Sequence, residues 1–216
     1  VRGGLFFLAN VKIFMLPKIV LASSSPARKM LLARLQIPFE THAPNIDETP
    51  LSGETPEQLV ARLTQEKGKV IAKEFSDALI ISSDQVIVVK GQVISKPETK
   101  EAAIAQLQEE SGEWVESLTG LGLLNTKTNE YQYACVKTDV LFRELTQPMI
   151  EDYLAKDPQA IYCAGSLRVE ALGIILLKKI ESDDPTALIG LPLITLTEML
   201  NSAAVPGTCL ASQSVF

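Results

Sequence analysis

Apolar positions along the chain follow two periods. One is alternating or continuous, as in strands, and the other returns every three to four residues, as in helices. Residues 19–22 (Ile-Val-Leu-Ala) read as a short buried strand, residues 23–28 as a hydroxyl-rich turn and residues 29–35 as a helix, with Pro26 suited to a first helical turn. Residues 37–41 suggest a short strand, followed by an acidic loop over 45–50. Thr55-Pro56-Glu57-Gln58 has the form of a capping box, and Leu59, Val60, Leu63, Val70 and Ile71 follow at helical spacing over about 56–74. Residues 78–89 form the most apolar β-rich run, interrupted only at Ser82 to Gln85. A Lys90-Gly91 turn leads into a return strand over 92–94 and a helix over 99–110. Two long strands, 113–124 and 131–142, flank a hairpin loop at 125–129. A helix capped by Thr146 ends near Ala155, a polar loop spans 163–170, residues 172–180 read as a buried strand, and a last helix covers 193–200.

Strands thus alternate with helices along one chain, without an internal repeat or a linker that would split it. The expected organisation is a single domain over 15–202, an N-terminal extension over 1–14 and a weakly ordered tail over 203–216. Residues 1–14 read as sequence upstream of a start near Met15; the rival reading is a signal peptide, since Leu5-Phe6-Phe7-Leu8-Ala9 follows Arg2. No stretch approaches the roughly 20 apolar residues of a membrane span.

Composition narrows the chemistry. The 216 residues carry a net charge of −6, which argues against a nucleic-acid surface because such a surface needs clustered Lys and Arg. A small phosphate ligand in a local basic pocket remains compatible. The three cysteines, Cys135, Cys163 and Cys209, are odd in number and widely spaced, so neither a disulfide framework nor a zinc site is indicated. The sole histidine, His42, removes a Ser/His/Asp triad and a His-based metal site from consideration unless it acts itself; any metal should be oxygen-ligated, magnesium or manganese.

Three segments carry candidate chemistry. A strand, a serine-rich turn and a helix start make an anion site, because the first amides of a helix lack internal partners and its dipole leaves that end partly positive. Ser23 and Ser25 offer hydroxyls and amides there, and Arg28 adds a guanidinium fork; the plainer reading is an N-cap. Asp84 sits within the most apolar strand, where a carboxylate is costly unless paired, hydrogen-bonded or metal-bound. Lys67 lies on or beside the apolar stripe of its helix and reads either as a snorkelling lysine or as a functional one.

Five short motifs occur in order: Ser23-Ser24-Ser25-Pro26-Ala27-Arg28, Ser83-Asp84-Gln85, Ser95-Lys96-Pro97, Ala164-Gly165-Ser166 and Gly190-Leu191-Pro192. Together they resemble the Maf-like nucleoside triphosphate pyrophosphatases, and within them the bacterial 7-methyl-GTP pyrophosphatase branch. The likeness covers roughly residues 16–200. It implies an α/β fold with a mixed twisted sheet, flanking helices and two lobes around a nucleotide cleft. It also implies a divalent cation, a cytoplasmic location and hydrolysis of a nucleoside triphosphate to monophosphate and diphosphate.

By the same resemblance Asp84 matches the proton acceptor, and Ser23, Ser25 and Arg28 match the phosphate loop. Lys67 and Lys96 match basic residues near the phosphates, and Asp47 or Glu48 the acidic position that helps hold metal together with Asp84. Ala27, Gln85 and Glu170 fall where substrate preference is set. Ala27 replaces a larger residue and Ser95 replaces a glycine of the family's usual pattern. Other expected substrates are dTTP, UTP or other modified nucleotides, and a regulator of cell division with little hydrolysis is the competing function. A homodimer is left open. Asp84 would act either as base towards water or as ligand of the metal that acidifies it. A carboxylate at Glu170 would accept from a guanine edge and favour a base made cationic by N7-methylation.

Overall fold

The computed structural model describes residues 17–203, so the expectations for residues 1–14 and for the tail beyond Ala203 lie outside the described residues. Seven strands form one mixed sheet: β1 (Lys18–Ala22), β2 (Glu40–His42), β3 (Ala78–Val89), β4 (Gln92–Ile94), β5 (Trp114–Asn125), β6 (Glu130–Phe142) and β7 (Leu177–Ser182). Five helices flank it: α1 (Pro26–Ala33), α2 (Pro56–Ala72), α3 (Lys100–Glu110), α4 (Gln147–Lys156) and α5 (Leu193–Ser202). The strand order is β2-β1-β3-β5-β6-β7, with β4 paired to β3. β1 runs parallel to β2 and β3, whereas every other pairing is antiparallel.

β3 organises the whole. It is buried along nearly its full length, as an apolar strand covered on both faces should be. Ile80 packs with Ile71 of α2, and on the same face Val86 and Val88 pack with Leu59, Val60 and Leu63. On the opposite face Leu79 and Ile81 join α1 and α5, while Ile87 and Val89 join α3 and α4. Two lobes of apolar packing therefore meet at the polar middle of β3. The Ser82–Gln85 stretch, which interrupts the apolar pattern, continues the strand as expected, with Ser82, Ser83, Asp84 and Gln85 all in register with β5.

One edge of β3 is shared. β1 pairs with it as far as Ser82, and β4 begins only at Ile87. Residues 83–86 lie in the gap between them. The chain leaving β1 enters the Ser23–Ser25 turn at one side of this gap, and the chain leaving β4 runs through Lys96 at the other. A crevice outside the carboxyl end of a parallel strand is where open α/β sheets bind ligands.

Two local expectations need correction. The strand expected over 37–41 forms only at Glu40–His42. The first helix opens at Pro26, as expected of that residue, with Ser25 as its cap. Residues 172–180 are not one buried strand: 172–176 form a 3-10 turn, and β7 is an edge strand whose residues 178–181 are exposed. An apolar run beside a sheet edge can satisfy its backbone on one side and leave alternate side chains in water.

Candidate active site

α2 places Lys67 over the middle of β3. Its capping box is present as expected: the Thr55 hydroxyl accepts the Gln58 N–H at 3.3 Å, and the Thr55 N–H donates to Gln58 Oε1 at 3.0 Å. The helix approaches the sheet closely because Gly68 and Gly120 carry no side chain. A Cβ on Gly120 would come within 2.4 Å of Thr64 Oγ1, and one on Gly68 within 2.9 Å of Ser82 Oγ. Lys67 Nζ consequently pairs with Asp84 Oδ1 in the interior, with the two side chains only 7% and 9% exposed. A buried charge this apolar a strand could not otherwise hold thus has its partner.

Lys67 Nζ also lies 2.7 Å from Glu48 Oε1, on a carboxylate that is 52% exposed. Burial raises the Glu48 pKa, but the Lys67 hydrogen bond and the charges of Lys67, Lys96 and Arg28 outweigh it and hold the carboxyl below its ordinary value. One carboxylate therefore feels three cations at once. Arg28 in turn is half-buried, and burial lowers the guanidinium below its ordinary value against the opposing charges of Asp84 and Glu48. Lys96 itself is exposed. Its loop is fastened by the Gln106 amide, which donates to the Ser95 carbonyl at 2.9 Å, and by the Glu98 N–H, which donates to the Ile161 carbonyl at 2.9 Å.

The serine turn is self-supporting. Ser23 Oγ accepts the Ser25 N–H at 3.1 Å, and Ser25 Oγ accepts the Arg28 N–H at 3.3 Å, so the N-cap and the turn are one structure. Arg28 Nε donates to the Gly190 carbonyl at 2.8 Å. Ser83 Oγ shares its proton between that carbonyl, at 2.9 Å, and that of Gly120, at 2.7 Å. Gly190 has φ +112°, a left-handed conformation that favours glycine. Gly190-Leu191-Pro192 thus acts by turning a carbonyl onto Arg28.

Asp47 and Glu48 separate clearly. Asp47 is exposed and accepts the Thr49 N–H at 2.9 Å, and its carboxyl lies below its ordinary value through the Thr49 hydrogen bonds and the charge of Arg62. Of the two, Glu48 is the one that pairs with Lys67. Ala27 is half-buried in the first turn of α1. The Gln85 amide nitrogen lies 2.9–3.1 Å from Ser117 Oγ, Thr119 Oγ1 and the carbonyls of Ala187 and Leu188, binding β3 and β5 to the turn before Gly190. Glu170 is exposed, with Oε1 3.6 Å from Arg168 Nε.

Several supporting residues escaped the sequence reading. Ser83 was legible only as part of a motif. Asp184 is buried and accepts the N–H groups of Thr186, Ile194 and Thr195 at 2.8–3.2 Å, so it caps α5 from outside the helix and fixes the turn that carries Gly190. The buried Asp157 and the half-buried Arg168, which form an ion pair, also escaped. Asp183-Asp184-Pro185 ahead of the last helix was the one available signal for the cap. Two cavities of about 360 and 310 Å³ lie away from the site, one lined by Leu79, Tyr131 and Ala203 and the other by Lys90, Trp114 and Asp139.

The fold and the site define a class: an α/β protein in which Lys67 joins a buried carboxylate, Asp84, to a half-exposed one, Glu48, that also lies in the field of Arg28 and Lys96, beside a strand–turn–helix anion site. The chain belongs to the Maf-like protein family, whose profile matches residues 18–203. It is 50% identical over 190 residues to a protein of Nitrosococcus oceani named 7-methyl-GTP pyrophosphatase, covering 88% of this chain and 95% of that relative. Among solved structures, the Ham1 protein of Staphylococcus aureus superposes with a TM-score of 0.43 at 15% identity, over 59% of this chain and 72% of that chain.

Proposed function

We propose that this protein hydrolyses 7-methyl-GTP to 7-methyl-GMP and diphosphate. The 50% identical relative carries that name, and the Maf family supports a nucleotide pyrophosphatase. The observation that carries the reading is Glu48: a mostly solvent-accessible carboxylate held by Lys67 within the field of Arg28 and Lys96. Such a place suits a phosphate group, and Glu48 can yield it at little cost because half of its side chain is already in water.

In this reading Arg28, Lys67 and Lys96 neutralise the triphosphate, and the start of α1 receives one of its phosphates. Asp84 Oδ1 is engaged by Lys67, and Oδ2 accepts the proton of a water that attacks the α-phosphorus. The α–β anhydride bond breaks and diphosphate leaves, its charge held by the lysines. A divalent cation, magnesium or manganese, fits the donor chemistry: Asp84, and Glu48 once a phosphate replaces it on Lys67, would offer it hard carboxylate oxygens. Among the described residues no group of three or more acidic, His or Cys side chains is arranged to enclose an ion, so substrate oxygens would complete the coordination. When bound, the cation supplies positive charge to the polyphosphate. Glu170 accepts from the guanine edge, and a cationic base strengthens that contact.

Diphosphate release from 7-methyl-GTP with magnesium tests the activity directly. Asp84→Asn is expected to lower kcat about a hundredfold or more while the fold persists, since Lys67 keeps Glu48 as a partner. Near-full turnover by that variant, with unchanged thermal unfolding, would remove Asp84 from the chemistry.

A further inference from the structure

The reaction above leaves Asp157 and Arg168 without a part. Asp157 follows the last residue of α4 and is buried. Its Oδ1 pairs with Arg168 Nη1, while its Oδ2 is buried without a hydrogen-bond partner. Arg168 is therefore the group that balances this carboxylate. On its other side, Arg168 Nε stands 3.6 Å from Glu170 Oε1. Burial lowers the Arg168 pKa, but Asp157 and Glu170 together hold it above its ordinary value.

The backbone fixes this arrangement. The Arg168 carbonyl accepts the N–H of Ala171 at 3.0 Å and of Gly173 at 2.9 Å. The Arg168 N–H donates to the Tyr153 hydroxyl at 3.4 Å. A Cβ on Gly173 would come within 2.6 Å of the Arg168 carbonyl oxygen, so this return of the chain requires glycine. Glu170 stands near the tip of a turn anchored at Arg168. The group also adjoins the lysine loop: the Glu98 N–H, two residues after Lys96, donates to the carbonyl of Ile161, between Asp157 and Arg168, at 2.9 Å.

Charge counting then gives a function. Two carboxylates share one guanidinium, so the group keeps one negative charge, and the buried member, Asp157, holds the closer contact to Arg168. We propose that Asp157 is a positioning residue for base selection: by engaging Arg168 it leaves Glu170 its negative charge, and this lets the site prefer N7-alkylated, cationic purine nucleotides over neutral ones. The inference rests on the reading that Glu170 faces the base. Without Asp157, Arg168 turns its whole charge on Glu170 and cancels it.

The test is the ratio of kcat/KM for 7-methyl-GTP to that for GTP, with thermal unfolding as a control. Glu170→Gln is the reference, and an unchanged ratio there overturns the placement of Glu170 itself. With Glu170→Gln lowering the ratio, Asp157→Asn is expected to lower it about tenfold, through KM rather than kcat. The Asp157→Asn/Arg168→Gln double variant is expected to regain most of that loss, because it removes the unbalanced positive charge. A merely structural role moves thermal unfolding in these variants, with relief in the double one, and leaves the ratio where it was. An unchanged ratio in Asp157→Asn, or no recovery in the double variant, overturns the proposal. Should Asp157→Asn fail to fold, Arg168→Gln decides alone: loss of the positive charge near Glu170 is expected to raise the ratio, and a fall overturns the proposal.

Discussion

Lys67 and Glu110 show how differently two buried charges can be accommodated. Lys67 faces Asp84 and Glu48, and its burial is matched by both. Glu110, at the end of α3, is buried with neither carboxylate oxygen hydrogen-bonded, and it crowds Gly165, where a Cβ would come within 2.8 Å of Oε1. Burial, with Glu109 adding to it, holds the Glu110 carboxyl well above its ordinary value. A raised folded value means that the native state keeps the proton. Its contribution to stability is fullest below the unfolded value and is lost as pH rises toward the folded one. Glu110→Leu is expected to stabilise the protein by about 1–3 kcal/mol, with the gain in thermal unfolding larger at pH 8 than at pH 5. A gain independent of pH would show that the carboxyl does not titrate this way. Asp84 was legible as a costly residue in an apolar run, but nothing adjacent to it in the sequence pointed to Lys67, which α2 brings to it, or to Glu48 on the far side of that lysine.

At the scale of elements, α2 and the middle of β3 work as a unit. Their separation is set by Gly120, opposite Asp84 on β5, against which Thr64 and the Val60 carbonyl of α2 rest. A Cβ there would meet Thr64 Oγ1 at 2.4 Å and the Val60 carbonyl oxygen at 3.2 Å. Gly120→Ala is expected to cost about 1–3 kcal/mol and to raise KM, because a lifted α2 carries Lys67 with it. Thr64→Ala in the same chain removes the nearer clash and is expected to restore part of both, as measured by thermal unfolding and steady-state kinetics. Independent, additive effects would break this link between helix spacing and the site. The helices were legible because caps and apolar stripes are local: Thr55, Pro56 and Gln58 mark α2, and Thr99 marks α3 through its bond from the Ala102 N–H at 3.2 Å. β7 was misread because an apolar run does not say whether a second strand lies beyond it.

For the whole molecule, four apolar clusters share β3 or its neighbours, and each draws residues from distant parts of the chain. Unfolding either lobe strips one end of β3 of its cover. The protein is therefore expected to unfold in one transition, with the emission of Trp114, at the start of β5, and far-UV circular dichroism changing together in denaturant. Separate midpoints would mean that the lobes are independent domains. No helix among the described residues is long and apolar enough to cross a membrane.

Residue order alone determined the helices, the long strands, the family resemblance and the cost of placing Asp84 in an apolar strand, since periodicity, capping and desolvation act over a few residues. Tertiary structure alone decided which carboxylate meets Lys67, how Gly190 holds Arg28, and that Asp157 shares Arg168 with Glu170. Apart from Arg168 and Glu170, two residues apart, those contacts join residues from separate elements, and the physical reason for the site lies in the sheet: where β1 ends and β4 begins on the same edge of β3, the chain brings a serine turn, a lysine loop and a buried acid to one gap.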